Sequence, residues 1–165
     1  NQTIRNNVDR FVRGAPHVAF IDFHTGLGPY GTAELIHREP AGTPARQRLD
    51  SWYRQGLTSL PDGTTSSAAS PDGLVEAALV RSLAESETTA LTMEFGTYPM
   101  PRVLTALRAD NWLHLRGDPE SALGRHIKAD IRECFYPDED DWKELVFLRA
   151  RQIMDRAVWG LSRAA

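Results

Sequence analysis

The chain has 165 residues, a length that suits one domain with a core of its own. A content of 41% hydrophobic, 25% charged and 8% aromatic residues excludes a chain disordered throughout, and 19 basic against 22 acidic side chains, a formal charge of -3, leave no general attraction to polyanions, so nucleic acid is not an expected partner. The single cysteine, Cys134, excludes an intrachain disulfide framework and a cysteine-rich zinc knuckle, and no apolar run approaches the ~20 residues of a membrane-spanning helix, so no membrane partner is expected.

In chain order, Ile4, Val8, Phe11 and Val12 recur at intervals of three and four, which predicts a helix from Gln2 to Val12, ended by Gly14 and Pro16. His17 to Phe23 is short, apolar and rich in strand formers, and predicts a buried strand. A loop with Gly26, Gly28, Pro29 and Gly31 follows, then a second strand from Thr32 to His37. Arg46 to Leu57 suits a helix burying Leu49, Trp52 and Tyr53. Pro61 to Pro71, dense in Gly, Ser, Thr and Pro, reads as an exposed loop of the kind that often binds ligands, and a helix opens at Ser70-Pro71-Asp72-Gly73 and runs to about Glu85. Thr88 to Phe95 is the third strand. Helices then occupy Pro101 to Trp112, Pro119 to Cys134 and Asp138 to about Leu161, the last with four acidic residues at its positive end. Alternating strands and helices predict an α/β fold, a mixed and mainly parallel sheet with helices packed on it, within a single domain spanning 1–165.

Two strand ends carry the chemistry. Side chains alternate along a strand, so Asp22 and His24 project to one side, at a carboxyl end where open α/β sheets place ligands. His24 there suits a metal-binding or catalytic imidazole; the structural alternative is a hydrogen bond to loop backbone. Glu94 ends the third strand, and a carboxylate costly to bury is held by a partner or has its pKa raised, as a general base does. The structural alternative is a pairing with an arginine or a cap on the turn at Gly96. Arg102 suits a substrate carboxylate or a plain surface ion pair, and Tyr30 and Tyr98 flank the same region, either polarising a carbonyl or simply packing. Gly26-x-Gly28-x-x-Gly31 formally matches the dinucleotide fingerprint, with Asp50 about 20 residues on, but Pro29 and the strand-like Thr32 to Ile36 argue against the helix that a phosphate cradle needs. His17, His37, His114 and His126 show no ligand spacing and read as structural or surface residues.

The segments Asp22 to Gly31, Glu94-Phe95-Gly96-Thr97, Asp110-Asn111-Trp112-Leu113 and Phe135-Tyr136-Pro137 before Trp142-Lys143 together resemble, over essentially the whole chain, a bacterial family of undefined function related to the zinc carboxypeptidases. That wider group includes carboxypeptidase A and the succinylglutamate desuccinylase and aspartoacylase enzymes. Its members hydrolyse amide bonds with one zinc ion, held by a His-x-x-Glu pair and a later histidine, while a strand-end glutamate activates water. The resemblance implies that His24 is the later zinc ligand and Glu94 the water-activating base. It also implies that zinc is the cofactor of the complete enzyme, and a peptide or acyl-amino acid its substrate. Ser70-Pro71-Asp72-Gly73 falls where the relatives have a substrate-side loop and helix.

No His-x-x-Glu occurs in the 165 residues. The expectation is therefore the C-terminal half of such a fold, inactive and without metal when alone, with a noncatalytic binding or scaffold module that keeps the fold as the alternative. In the relatives the glutamate strand is flanked on one side by a strand of the N-terminal half. Its absence predicts an exposed edge along Ala90 to Phe95, which would pair with a second copy to form a homodimer.

Overall fold

A computed structural model describes residues 2–54, 56–65 and 75–164. Helix α1 (Gln2–Phe11) leads into strand β1 (His17–Tyr30) and β2 (Ala33–His37), followed by α2 (Pro44–Tyr53), β3 (Leu57–Ser59), α3 (Val75–Ser82) and β4 (Glu87–Gly96). Three helices close the sequence: α4 (Met100–Arg116), α5 (Ala122–Phe135) and α6 (Asp140–Ala164). The four strands form one sheet in the order β1-β4-β2-β3. At one end the Glu87 amide donates to Pro16 O (2.8 Å), and at the other the Gly31 amide donates to Gly96 O (3.0 Å), so β1 and β4 run in the same direction. The Gly96 amide donates to Thr32 O (2.9 Å), which sets the start of β2 beside the end of β4 and makes that pair antiparallel. Parallel pairing returns between β2 and β3, with Leu35 opposite Leu57 and His37 opposite Ser59. The fold is a mixed α/β fold with a mostly parallel sheet, as the alternation of elements predicts.

Local chemistry sets the helix starts. Thr43 accepts a hydrogen bond from the Arg46 amide (3.2 Å) ahead of Pro44, and Ser121 accepts one from the Gly124 amide (2.9 Å), so each satisfies a donor that the first helical turn leaves without a partner. Asp140 and Asp141 sit in the first turn of α6, where negative charge is favoured.

Three expectations change. Strand β1 does not stop before the glycines but continues to Tyr30, because Gly26 (φ 135°) and Gly28 (φ 107°) take up conformations closed to other residues and let the strand bulge while staying paired. Strand β3 is a fourth strand, too short at 3 residues to leave a periodic signal. The exposed edge proposed along Ala90 to Phe95 is not an edge: β4 lies between β1 and β2, and Ala90, Leu91, Met93 and Phe95 are all buried. A strand from within the chain, β2, fills the neighbouring position, so the backbone ladder needed for pairing with a second copy is already occupied. The Ser70-Pro71-Asp72-Gly73 start of α3 and most of the loop before it lie outside the described residues.

The chain divides into two units, Asn1–Asp22, Leu35–Met93 and Arg151–Ala165 in the first, Phe23–Glu34 and Glu94–Ala150 in the second. In the first unit, α1 and α3 share a core of Val8, Val18, Leu79 and Leu83. Leu49, Trp52 and Tyr53 of α2 are buried there. Gly160 lies against Trp52 so closely that a Cβ would sit 2.2 Å from its indole. Arg48 anchors α2 to β4 through Thr89 Oγ1 (2.9 Å) and Thr88 O (3.2 Å). His37, read from sequence as structural or surface, is wholly buried and accepts the Glu39 amide at Nδ1 (3.2 Å). In the second unit, α4 packs on α5, and Val103, Ala106, Leu113, Ile127 and Cys134 are buried. Trp142 of α6 donates from Nε1 to Gly96 O (2.9 Å). No helix among the described residues is long and apolar enough to cross a membrane.

Candidate functional site

His24 and Glu94 come together within the second unit. Phe23 and Phe95 stack at 6.5 Å between ring centroids. Alternation along each strand then turns the next residue on β1, His24, and the preceding residue on β4, Glu94, to the other side. His24 Nδ1 lies 3.7 Å from Glu94 Oε2, an ion-pair separation longer than a hydrogen bond. The two side chains differ in access: 41% of the imidazole surface reaches solvent against 9% of the carboxylate.

The bulged end of β1 shapes the rest of the site. Thr25 donates to Phe135 O (2.5 Å), and Gly26 passes so near the Phe135 ring that a Cβ would meet it at 2.6 Å. Thr97 donates to Cys134 O (2.7 Å), with Gly26 O also near at 3.2 Å. These ties hold the Gly26–Gly28 turn against the end of α5. The turn aims the Leu27 amide at Glu94 Oε1 (3.0 Å). Burial pushes the Glu94 carboxyl above the ordinary glutamate range, the Leu27 hydrogen bond and the His24 imidazole pull it part of the way back, and Glu34 pushes it up again. A carboxylate with one oxygen fixed by an amide and the other beside an imidazole is suited to accept a proton from water.

The other three residues proposed from sequence have different partners. Tyr30 donates to Asp141 Oδ1 (3.0 Å), and its pKa is pushed up to about 12 by desolvation and by that carboxylate. Tyr98 donates to Glu133, which raises its pKa. The Arg102 guanidinium stacks 3.7 Å from the centre of the Tyr98 ring and lies 3.9 Å from Asp130. These side chains are thus tied to the acidic residues of α5 and α6. The glycines of the formal dinucleotide fingerprint lie in and just after β1 and lead into β2, so no helix opens on them, and Asp50 sits within α2.

Two features escaped the sequence. The Leu27 amide leaves no residue-type signal, although the positive-φ glycines on either side mark a turn that presents backbone donors. Glu76 of α3, in the first unit, is buried and its carboxyl is pushed up chiefly by that burial; it accepts from Thr92 Oγ1 (3.1 Å) and lies 3.7 Å from Arg38 Nε.

Residues 1–149 match the family described as protein of unknown function, DUF2817. The chain belongs to this family. The matched region contains His24, Glu94 and the whole glycine-bearing turn whose Leu27 amide reaches Glu94. Comparisons with curated proteins and with solved structures returned no match. Among the described residues, no group of three or more His, Cys, Asp or Glu side chains could hold a metal ion. A catalytic zinc takes three protein ligands and an open position, so His24 and its described neighbours do not by themselves fit zinc.

Proposed function

We propose that this chain carries the general base of an amide hydrolase of the zinc-carboxypeptidase type, acting on peptides or acyl-amino acids. The reading rests on the buried Glu94 carboxylate, fixed at Oε1 by the Leu27 amide and open at Oε2 toward His24. In the reaction, Glu94 takes a proton from water as the water oxygen bonds to the amide carbon. It then delivers that proton to the departing nitrogen as the C–N bond breaks, and the carboxylate is restored. The Leu27 amide keeps the carboxylate oriented through both transfers, and the near-complete burial of Glu94 raises its affinity for the proton it carries.

Zinc belongs to the complete enzyme in this reading, with His24 as one ligand and a His-x-x-Glu pair, absent from these 165 residues, supplying the others. The chain alone is then inactive. The test is hydrolysis of N-acyl-amino acids and short peptides by the complete gene product, before and after metal stripping, beside this chain by itself. Turnover by the complete product that disappears on stripping and returns with zinc is expected, with none from the chain alone. A complete product that binds no zinc and hydrolyses nothing would support the noncatalytic module instead.

A further inference from the structure

The first unit holds a groove of about 570 Å³ between α1 and α3. Its floor is apolar, formed by Ile4 and Val8 of α1 with Ala78 and Leu79 of α3, and Val8 and Leu79 continue inward into the buried cluster with Val18 and Leu83. Its rim is cationic: Arg5, Arg13 and Arg81 stand around it, and among the described lining residues the one acid, Asp9, is paired with Arg13. Arg5 and Arg81 make no ion pair among the described residues. A chain with a formal charge of -3 therefore gathers positive charge around one apolar depression.

We infer that this groove docks an acidic amphipathic helix of a partner protein, an inference independent of the hydrolase reading. An apolar floor between two helices, bordered mainly by arginines, fits helix-in-groove recognition, in which apolar anchors fill the depression and charges on either side select the partner. Arg5 stands on α1, Arg13 just beyond its end and Arg81 on α3, so basic side chains border the depression from both helices. The fitting partner carries apolar residues at i, i+4 and i+7 with Glu or Asp along both flanks. A bilayer surface does not enter a concavity of this kind, and an apolar floor offers nothing to a phosphate backbone.

The test uses a fluorescent 16-residue helical peptide with leucines at i, i+4 and i+7 and flanking glutamates, titrated by anisotropy against the chain. Saturable binding is expected that weakens at least tenfold in the Arg5→Glu/Arg81→Glu double variant, weakens with added salt, and is lost in Ala78→Trp, which fills the groove. A peptide with lysines in place of the glutamates should prefer the charge-reversed variant. Thermal melts identify any variant that has lost its fold, and the salt series in the unaltered protein stands without them. No saturable binding, or equal binding by all variants, overturns the proposal. So does arginine-dependent binding of laurate or of phosphatidylglycerol vesicles where the peptide shows none.

Discussion

Replacing Glu94 with Gln in the complete gene product is expected to lower amide hydrolysis by about 10²- to 10⁴-fold, the usual effect of removing a general base. The variant is a close test because little else changes. Gln keeps an oxygen for the Leu27 amide, so the turn at Gly26–Gly28 remains held. It loses the ability to take up a proton. Stability should move in the opposite direction where Glu94 is charged. The folded-state pKa of Glu94 lies above its unfolded value, so the stability linked to this group is fully present below the unfolded pKa and is lost as pH rises through the folded one. Above the folded pKa the buried charge weighs against folding, and there the Gln variant should melt at or above the temperature of the unaltered protein. The difference should disappear below about pH 4, beneath the unfolded glutamate pKa. A variant that loses activity together with its fold would point to a structural role for Glu94, and unchanged turnover would remove it from the chemistry.

The second large effect is expected at Gly96, the residue that joins β4 to the turn over the site. A Cβ there would lie 2.0 Å from Pro29 O and 2.5 Å from Gly28 C and O, all backbone atoms that cannot rotate away. Retreat of Gly96 itself is blocked as well. Its amide donates to Thr32 O, and its carbonyl accepts from both the Gly31 amide and Trp142 Nε1. Gly96→Ala should therefore cost on the order of 3 kcal/mol or more, read as a drop in the denaturant midpoint at unchanged slope. Gly42→Ala is a suitable control, because nothing lies within 4 Å of its Cβ position and only its φ of 82° is strained, a penalty of about 1–2 kcal/mol. Equal midpoints for the two variants would mean that the β1 turn and β4 are not in such close contact. Because the displaced Gly28 and Pro29 follow Leu27 directly, any folded Gly96→Ala protein should also lose its hold on Glu94.

The parts of this fold legible in the sequence are those set by local patterns. Helix α1 announces itself through apolar spacing and α6 through the acidic residues at its start, and β4 through a short stretch of strand formers and apolar residues in which Glu94 is the one charge from Thr88 to Phe95. Glu94 stood out for the same reason, since a lone carboxylate among Leu91, Met93 and Phe95 needs an explanation. What failed was what local patterns do not encode. Gly26, Gly28 and Pro29 read as the end of a strand, yet two of them are the bulge that lets β1 continue to Tyr30. Strand order is not written in any one segment, so the placement of β2 beside β4, which removes the supposed edge, came only with the sheet. Arg102, Tyr98 and Tyr30 are near the site in sequence, but their partners Asp130, Glu133 and Asp141 lie on later helices that no spacing connects to them.

The proposed role of Glu94 depends on a buried carboxyl electrostatically coupled to His24. Carbon-13 NMR titration of the Glu94 carboxyl, in the unaltered chain and in His24→Ala, measures that coupling. Titration above the ordinary glutamate range is expected in the unaltered chain, with a further upward move in His24→Ala, where the stabilising imidazole is gone. A Glu94 that titrates like a solvent-exposed glutamate, or one indifferent to the loss of His24, would contradict it.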